Sequence, residues 1–163
     1  MKNSQMNITI KEDNFPKLQK VIDDLGRYAL SIGIFGEDDT GDESYVMIAN
    51  VHEFGITIAL PNGEIRVPER SFMRSTFEEK EREWTAFIEE RLDRVLAFQM
   101  SVEQMYEQMG AKVVSDIQNK IRTLDTPENA ESTIKKKRSS NPLIDKGGAG
   151  GLITRVTWKV IRE

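Results

Sequence analysis

The residues of this chain that could carry chemistry are few and widely separated. His52 and Glu53 adjoin, and an imidazole beside a carboxylate is the smallest unit that can pass a proton. The chain has no cysteine and only this one histidine, so a thiol nucleophile, a Cys-based zinc site and nearly every His-ligated metal site are removed together. With no nucleophile or second ligand nearby, His52 reads as a capping or packing residue. The acidic run from Glu37 to Glu43 has calcium-loop composition without EF-hand spacing, and reads as a solvated turn whose carboxylates favour the start of the next helix. Gly147-Gly148-Ala149-Gly150-Gly151 invites comparison with a phosphate-binding loop. Such a loop needs Gly-Lys-Ser/Thr and a following helix, whereas here Lys146 precedes the glycines and a strand pattern follows, so the run reads as a hinge. Lys135, Lys136, Lys137 and Arg138 form the one strongly basic cluster, able to meet nucleic-acid phosphates or an acidic protein surface. No aromatic interleaves it, so base stacking finds no support. These readings predict no enzyme, no cofactor and no metal.

Composition sets the frame in which those residues must sit. The chain has 163 residues, 38% of them hydrophobic, with 23 Lys plus Arg against 27 Asp plus Glu and a formal net charge of −4. That length fits one domain, 1–163, and that balance argues against a generally DNA-coating protein while leaving room for a local basic patch. No apolar run approaches the ~18 residues of a membrane span, and the polar start Met1-Lys2-Asn3-Ser4-Gln5 leads into no signal-peptide core. The expectation is a soluble protein made inside the cell, with no membrane partner.

The elements follow from periodicity. Alternation over 6–10 (Met6, Ile8, Ile10) and over 28–35 (Tyr28, Leu30, Ile32, Ile34) predicts strands. Between them Asn14 to Leu25 reads as a short Asx-capped helix stopped by Gly26, and Ser44 to Glu53 as another, ended by Gly55. Pro61-Asn62-Gly63 between the alternating runs 56–60 and 64–67 predicts a β-hairpin, because both turn residues favour positive φ. A long helix, about 69–98, carries the stripe Met73, Phe77, Trp84, Ile88, Leu92 and Val95. A second, about 101–124, carries Val102, Tyr106, Met109, Val113, Ile117, Ile121 and Leu124. Periodicity stops from 125 to 151, which predicts a long flexible basic and Gly-rich loop, tethered because alternation returns over 152–161. The fold class expected is α+β: a small, mostly antiparallel sheet packed with a long two-helix hairpin, the loop 125–151 being inserted before the last strand.

Three segments taken in order carry a resemblance. His52-Glu53-Phe54-Gly55 leads into the hairpin. Pro68-Glu69-Arg70-Ser71-Phe72-Met73-Arg74, with Phe77 beyond, opens the long helix. Thr126-Pro127-Glu128, with Ser132-Thr133 and the lysines, leads on to Pro142-Leu143-Ile144-Asp145-Lys146-Gly147 and to Leu152. Together they resemble the tail-completion and virion-morphogenesis proteins of tailed bacteriophages, which act at the neck where head meets tail. The resemblance implies a non-catalytic virion protein, made and assembled in the bacterial host cytoplasm. It would form a ring with copies of itself and meet the tail terminator or tail tube on one side and head connector or portal-side proteins on the other. It places the candidate interface on Pro68, Arg70, Phe72 and Arg74, and the partner- or DNA-contacting loop on Lys135, Lys136, Lys137 and Arg138.

The residues alone leave one other class open, a nucleic-acid-binding accessory protein acting through 135–138. Salt-sensitive DNA retention, lost when those four residues become Ala, would separate the two.

Overall fold

The computed structural model describes residues 13–38, 44–144 and 151–162. In chain order the elements are α1 (Phe15–Arg27), β1 (Tyr28–Gly33), a short 3-10 turn, α2 (Tyr45–Phe54), β2 (Ile56–Leu60), β3 (Gly63–Val67), α3 (Met73–Leu96), α4 (Val102–Thr123), α5 (Glu131–Lys137), α6 (Leu152–Arg155) and β4 (Thr157–Arg162). The α+β class and the long helical pair are as expected. The strand expected at 6–10 lies outside the described residues.

The sheet departs from expectation. Instead of one sheet, the described residues form two separate antiparallel pairs, β1 with β4 and β2 with β3. In the first, Tyr28 lies opposite Arg162 and Ile32 opposite Trp158; in the second, Ile58 lies opposite Ile65. The β1–β4 pair is laid on α4, while β2–β3 springs from the segment between α2 and α3 with almost every residue exposed.

Helix α4 is the centre of the molecule. It packs against α3 on one side and against β1 and β4 on another, so it buries Met105, Gly110 and Val114 in addition to the expected Val113, Ile117 and Ile121. One apolar stripe would serve one neighbour; α4 serves two. Its start is fixed by a capping box: the Ser101 hydroxyl accepts from the Gln104 N–H, and the Gln104 side chain accepts from the Ser101 N–H. At Gly110 the Trp158 indole lies directly on the helix backbone, where an added Cβ would sit 2.3 Å from a ring carbon; the indole N–H donates to Glu107 at 2.7 Å. Across the seam to α3, the Trp84 indole donates to Asp116 at 2.8 Å, and Lys112 bridges Asp116 and Glu83. The Lys112 contact, with a second from Lys80 at 2.7 Å, holds the Glu83 carboxyl well down, to about 2.

Several boundaries differ for identifiable reasons. Asp13, not Asn14, accepts the Phe15 N–H at the start of α1, and α1 continues through Gly26. Phe77, expected in the α3 seam, is 56% exposed, its ring meeting the edge of Trp84. The expected strand 152–161 begins instead as the helical turn α6, with β4 starting at Thr157. Leu152 and Ile153 are adjacent and both buried, which a turn of helix permits and a one-sided strand does not. The stretch expected as a flexible loop contains α5 and the buried Pro142 and Leu143, so part of it belongs to the core.

Candidate functional site

Helix α3 opens without a conventional cap. Phe72 stands at the N-cap position and makes no side-chain cap bond, leaving first-turn N–H groups to be satisfied from elsewhere. The answer comes from the end of α2. Gly55, at φ +69°, turns the chain so closely that a Cβ there would lie 2.8 Å from the Glu69 nitrogen, and the Arg70 N–H donates to the His52 carbonyl at 2.7 Å. This turn delivers the Glu53 carboxylate to the start of α3. It accepts from the backbone N–H groups of Phe72 (2.9 Å), Met73 (3.0 Å) and Arg74 (2.9 Å), from the Ser71 hydroxyl (2.9 Å) and from the Arg74 Nε (3.2 Å). Burial pushes the Glu53 carboxyl up, but the N–H bonds of Met73, Arg74 and Phe72 and the Ser71 hydroxyl outweigh it, so its pKa lies below the ordinary value.

Two further clamps extend from this knot. The Arg70 guanidinium, buried and with its pKa lowered by that burial, donates to the carbonyls of Pro127 (2.7 Å) and Glu128 (2.9 Å). Asn141 donates to the carbonyls of Ile121 and Arg122 at the end of α4 and accepts from the Leu143 and Ile144 N–H groups. The three segments that carried the resemblance are thus brought together in space, by Glu53 between the first and second and by Arg70 between the second and third.

The individual candidates fare differently. Phe72 is fully buried and Arg70 nearly so, and both work inside the fold. Pro68 is half-buried. Arg74 is exposed, with its guanidinium over the Phe54 ring at 4.7 Å and paired with Glu69 at 2.8 Å. Burial lowers its pKa, but Glu69 and Glu53 raise it further, for a net rise. The basic cluster forms the last turns of α5 rather than a loop. Lys135, whose side chain is 80% exposed, Lys136 and Arg138 face solvent, while Lys137 donates to the Pro142 carbonyl at 3.1 Å. Of the His52–Glu53 pair, the Glu53 carboxylate is engaged by the start of α3.

Sequence reasoning missed the capping role of Glu53. The available signal was a long helix opening on Ser71-Phe72-Met73 with no Asp or Asn at its start, together with a glutamate before a glycine turn. It also missed that the hairpin would stand away from the sheet with Ile56, Ile58, Leu60 and Ile65 exposed. No family model, no curated protein and no solved structure matches this chain.

Proposed function

We propose that this protein is a non-catalytic structural component of a tailed-phage neck, a ring-forming tail-completion or head–tail joining adaptor. The observation that carries the reading is the knot just described. The three segments that resemble that family are spent on rigid positioning of a long helical pair and of a projecting hairpin, and what they hold out is surface rather than a reactive group. Among the described residues both strand edges of the hairpin lack a partner, which suits strand addition between subunits, and the charged helical pair offers long lateral faces. A contact made by unlike surfaces closes into a ring when the rotation permits. The partners would be copies of this chain, the tail terminator or tail tube, and connector or portal-side proteins.

Electron microscopy of particles from a phage lacking this gene tests the reading. Filled heads beside free tails are expected; normal infectious virions would remove it.

A second reading, nucleic-acid contact through α5, is favoured by one observation: Lys135, Lys136 and Arg138 are presented together on an ordered helix end. The readings are compatible, because a neck ring surrounds the path of the DNA. DNA retention at low salt that persists after those residues become Ala would remove the second.

A further inference from the structure

Exposed apolar side chains among the described residues include Met47, Phe54 and Phe77 and two groups that each share one face of an element. The first is one face of the hairpin, where the register places Ile56, Ile58, Leu60 and Ile65 on the same side, each 42–51% exposed. The second is a stripe on α1, Phe15, Leu18 and Ile22; Phe15 is 70% exposed. Scattered exposed apolar side chains are ordinary, and the largest contiguous patch on a monomer, about 300–600 Å2, is often functional.

The patches sit at opposite ends of the helical pair. The hairpin leads through Pro68 into the start of α3. Helix α1 is docked at the other end, with Lys17 over the Phe98 ring at 5.8 Å and with Val21 and Leu25 packed into the cluster of Val95, Met100 and Val102. The 24 residues of α3 separate them by about 36 Å, so one chain cannot cover its own hairpin with its own stripe.

We infer that the two patches are the halves of one contact, in which the hairpin face of one copy lies on the α1 stripe of the next, head to tail. The shapes agree. The stripe has the i, i+3, i+7 spacing by which a helix lies on an apolar surface, and the register of the hairpin gathers its four apolar side chains on one face. The areas agree as well. Each patch exposes the equivalent of somewhat under two large side chains, roughly 300 Å2. Joined, they bury roughly 600 Å2 of apolar surface, which at the usual apolar share of an interface implies a total of about 1,000 Å2, the lower bound of specific contacts. A two-fold hairpin-to-hairpin dimer would leave both stripes bare, whereas the head-to-tail contact covers one patch of each kind at every junction. The inference rests on the ring reading only for closure of these contacts into a ring.

The test uses two full-length variants, Ile58→Asp/Ile65→Asp in the hairpin and Phe15→Asp/Ile22→Asp in α1, compared by sedimentation velocity. Wild type is expected to self-associate as concentration rises, each variant alone to stay monomeric, and an equimolar mixture to form a 1:1 dimer that grows no further. A wild type monomeric throughout, a mixture that stays monomeric, or self-association retained by the α1 variant would each overturn the contact. Should a variant lose its helical circular dichroism, disulfide trapping between Ile58→Cys and Leu18→Cys chains replaces it, with a mixed dimer expected and its absence decisive against the proposal. The outcomes separate from those of the phage experiment. A 1:1 dimer with normal virions would remove the neck role and keep the contact; lost head–tail joining with no dimer would do the reverse.

Discussion

Glu53 shows what a single side chain contributes here. Burying a carboxylate is unfavourable unless donors surround it, and the start of a helix is rich in them. Glu53→Ala would leave three backbone N–H groups and the Ser71 hydroxyl without their acceptor, and is expected to destabilise the fold by about 2–4 kcal/mol in urea unfolding. The same group makes stability depend on acid. Its folded pKa is below the ordinary 4.5, so its contribution is complete above the unfolded value and is lost as pH falls through the folded one. The gap in unfolding free energy between wild type and Glu53→Gln should therefore be widest near neutrality and narrow below about pH 4.5; a gap that stays constant across that range would assign the acid sensitivity elsewhere. Gly110 is the second residue of this kind, needed for proximity rather than for backbone freedom. Gly110→Ala drives a methyl into the Trp158 ring and should cost about 1–3 kcal/mol, read as a lowered Tm.

Among the elements, α5 and its flanks divide sharply into surface and support. Changing Lys135, Lys136 and Arg138 together to Ala removes exposed charge and should leave unfolding free energy within about 0.5 kcal/mol per site of wild type. Asn141→Ala acts on the same stretch in the opposite way. It strips two acceptors and two donors of their partner at the end of α4, and a loss of about 1–3 kcal/mol is expected in denaturant titration. This contrast marks the limit of what periodicity could reveal. The helices α3 and α4 and the hairpin were legible because their signals are local: repeated apolar spacing, Ser101 before Gln104, and Asn62-Gly63 between alternating runs. The turn itself is one residue earlier than expected, on Pro61-Asn62, with Gly63 already paired to Leu60 and Asn62 not at positive φ. Helix α5 was not, because Glu131-Ser132-Thr133-Ile134 carries a single apolar residue, none of its residues is buried, and the Lys137 bond to the Pro142 carbonyl leaves no mark in the sequence pattern. Leu152 and Ile153 misled for a related reason. A short apolar run fits either a strand or a helical turn until burial on both sides is known.

At the scale of the whole molecule, the layout is a helical pair with a sheet on one side, an apolar hairpin at one end and an apolar helix face at the other. The sequence supplied the parts but not this arrangement, since whether β2–β3 joins β1–β4 depends on contacts between segments far apart in the chain. The candidate site was half legible. The motif residues stood out as a set, yet their spatial meeting through Glu53 and Arg70 could only be seen once folded. Removing residues 126–144 is accordingly expected to abolish cooperative thermal unfolding rather than to yield a trimmed but folded protein, because Pro142 and Leu143 leave the core and Arg70 loses both acceptors. A retained sharp transition by circular dichroism would show that the core closes without them.

The pairing of β1 with β4 also sets an order of events in time. Tyr28 leaves the ribosome early and its partner Arg162 late, and Trp158, which fills the space over Gly110, arrives with the same final stretch. The hairpin and the Glu53 clamp need only nearby residues and can form long before, since contacts close in the chain are quick to make and distant ones slow. A chain stalled before Thr157 would therefore carry a finished hairpin with exposed apolar side chains on an unfinished core.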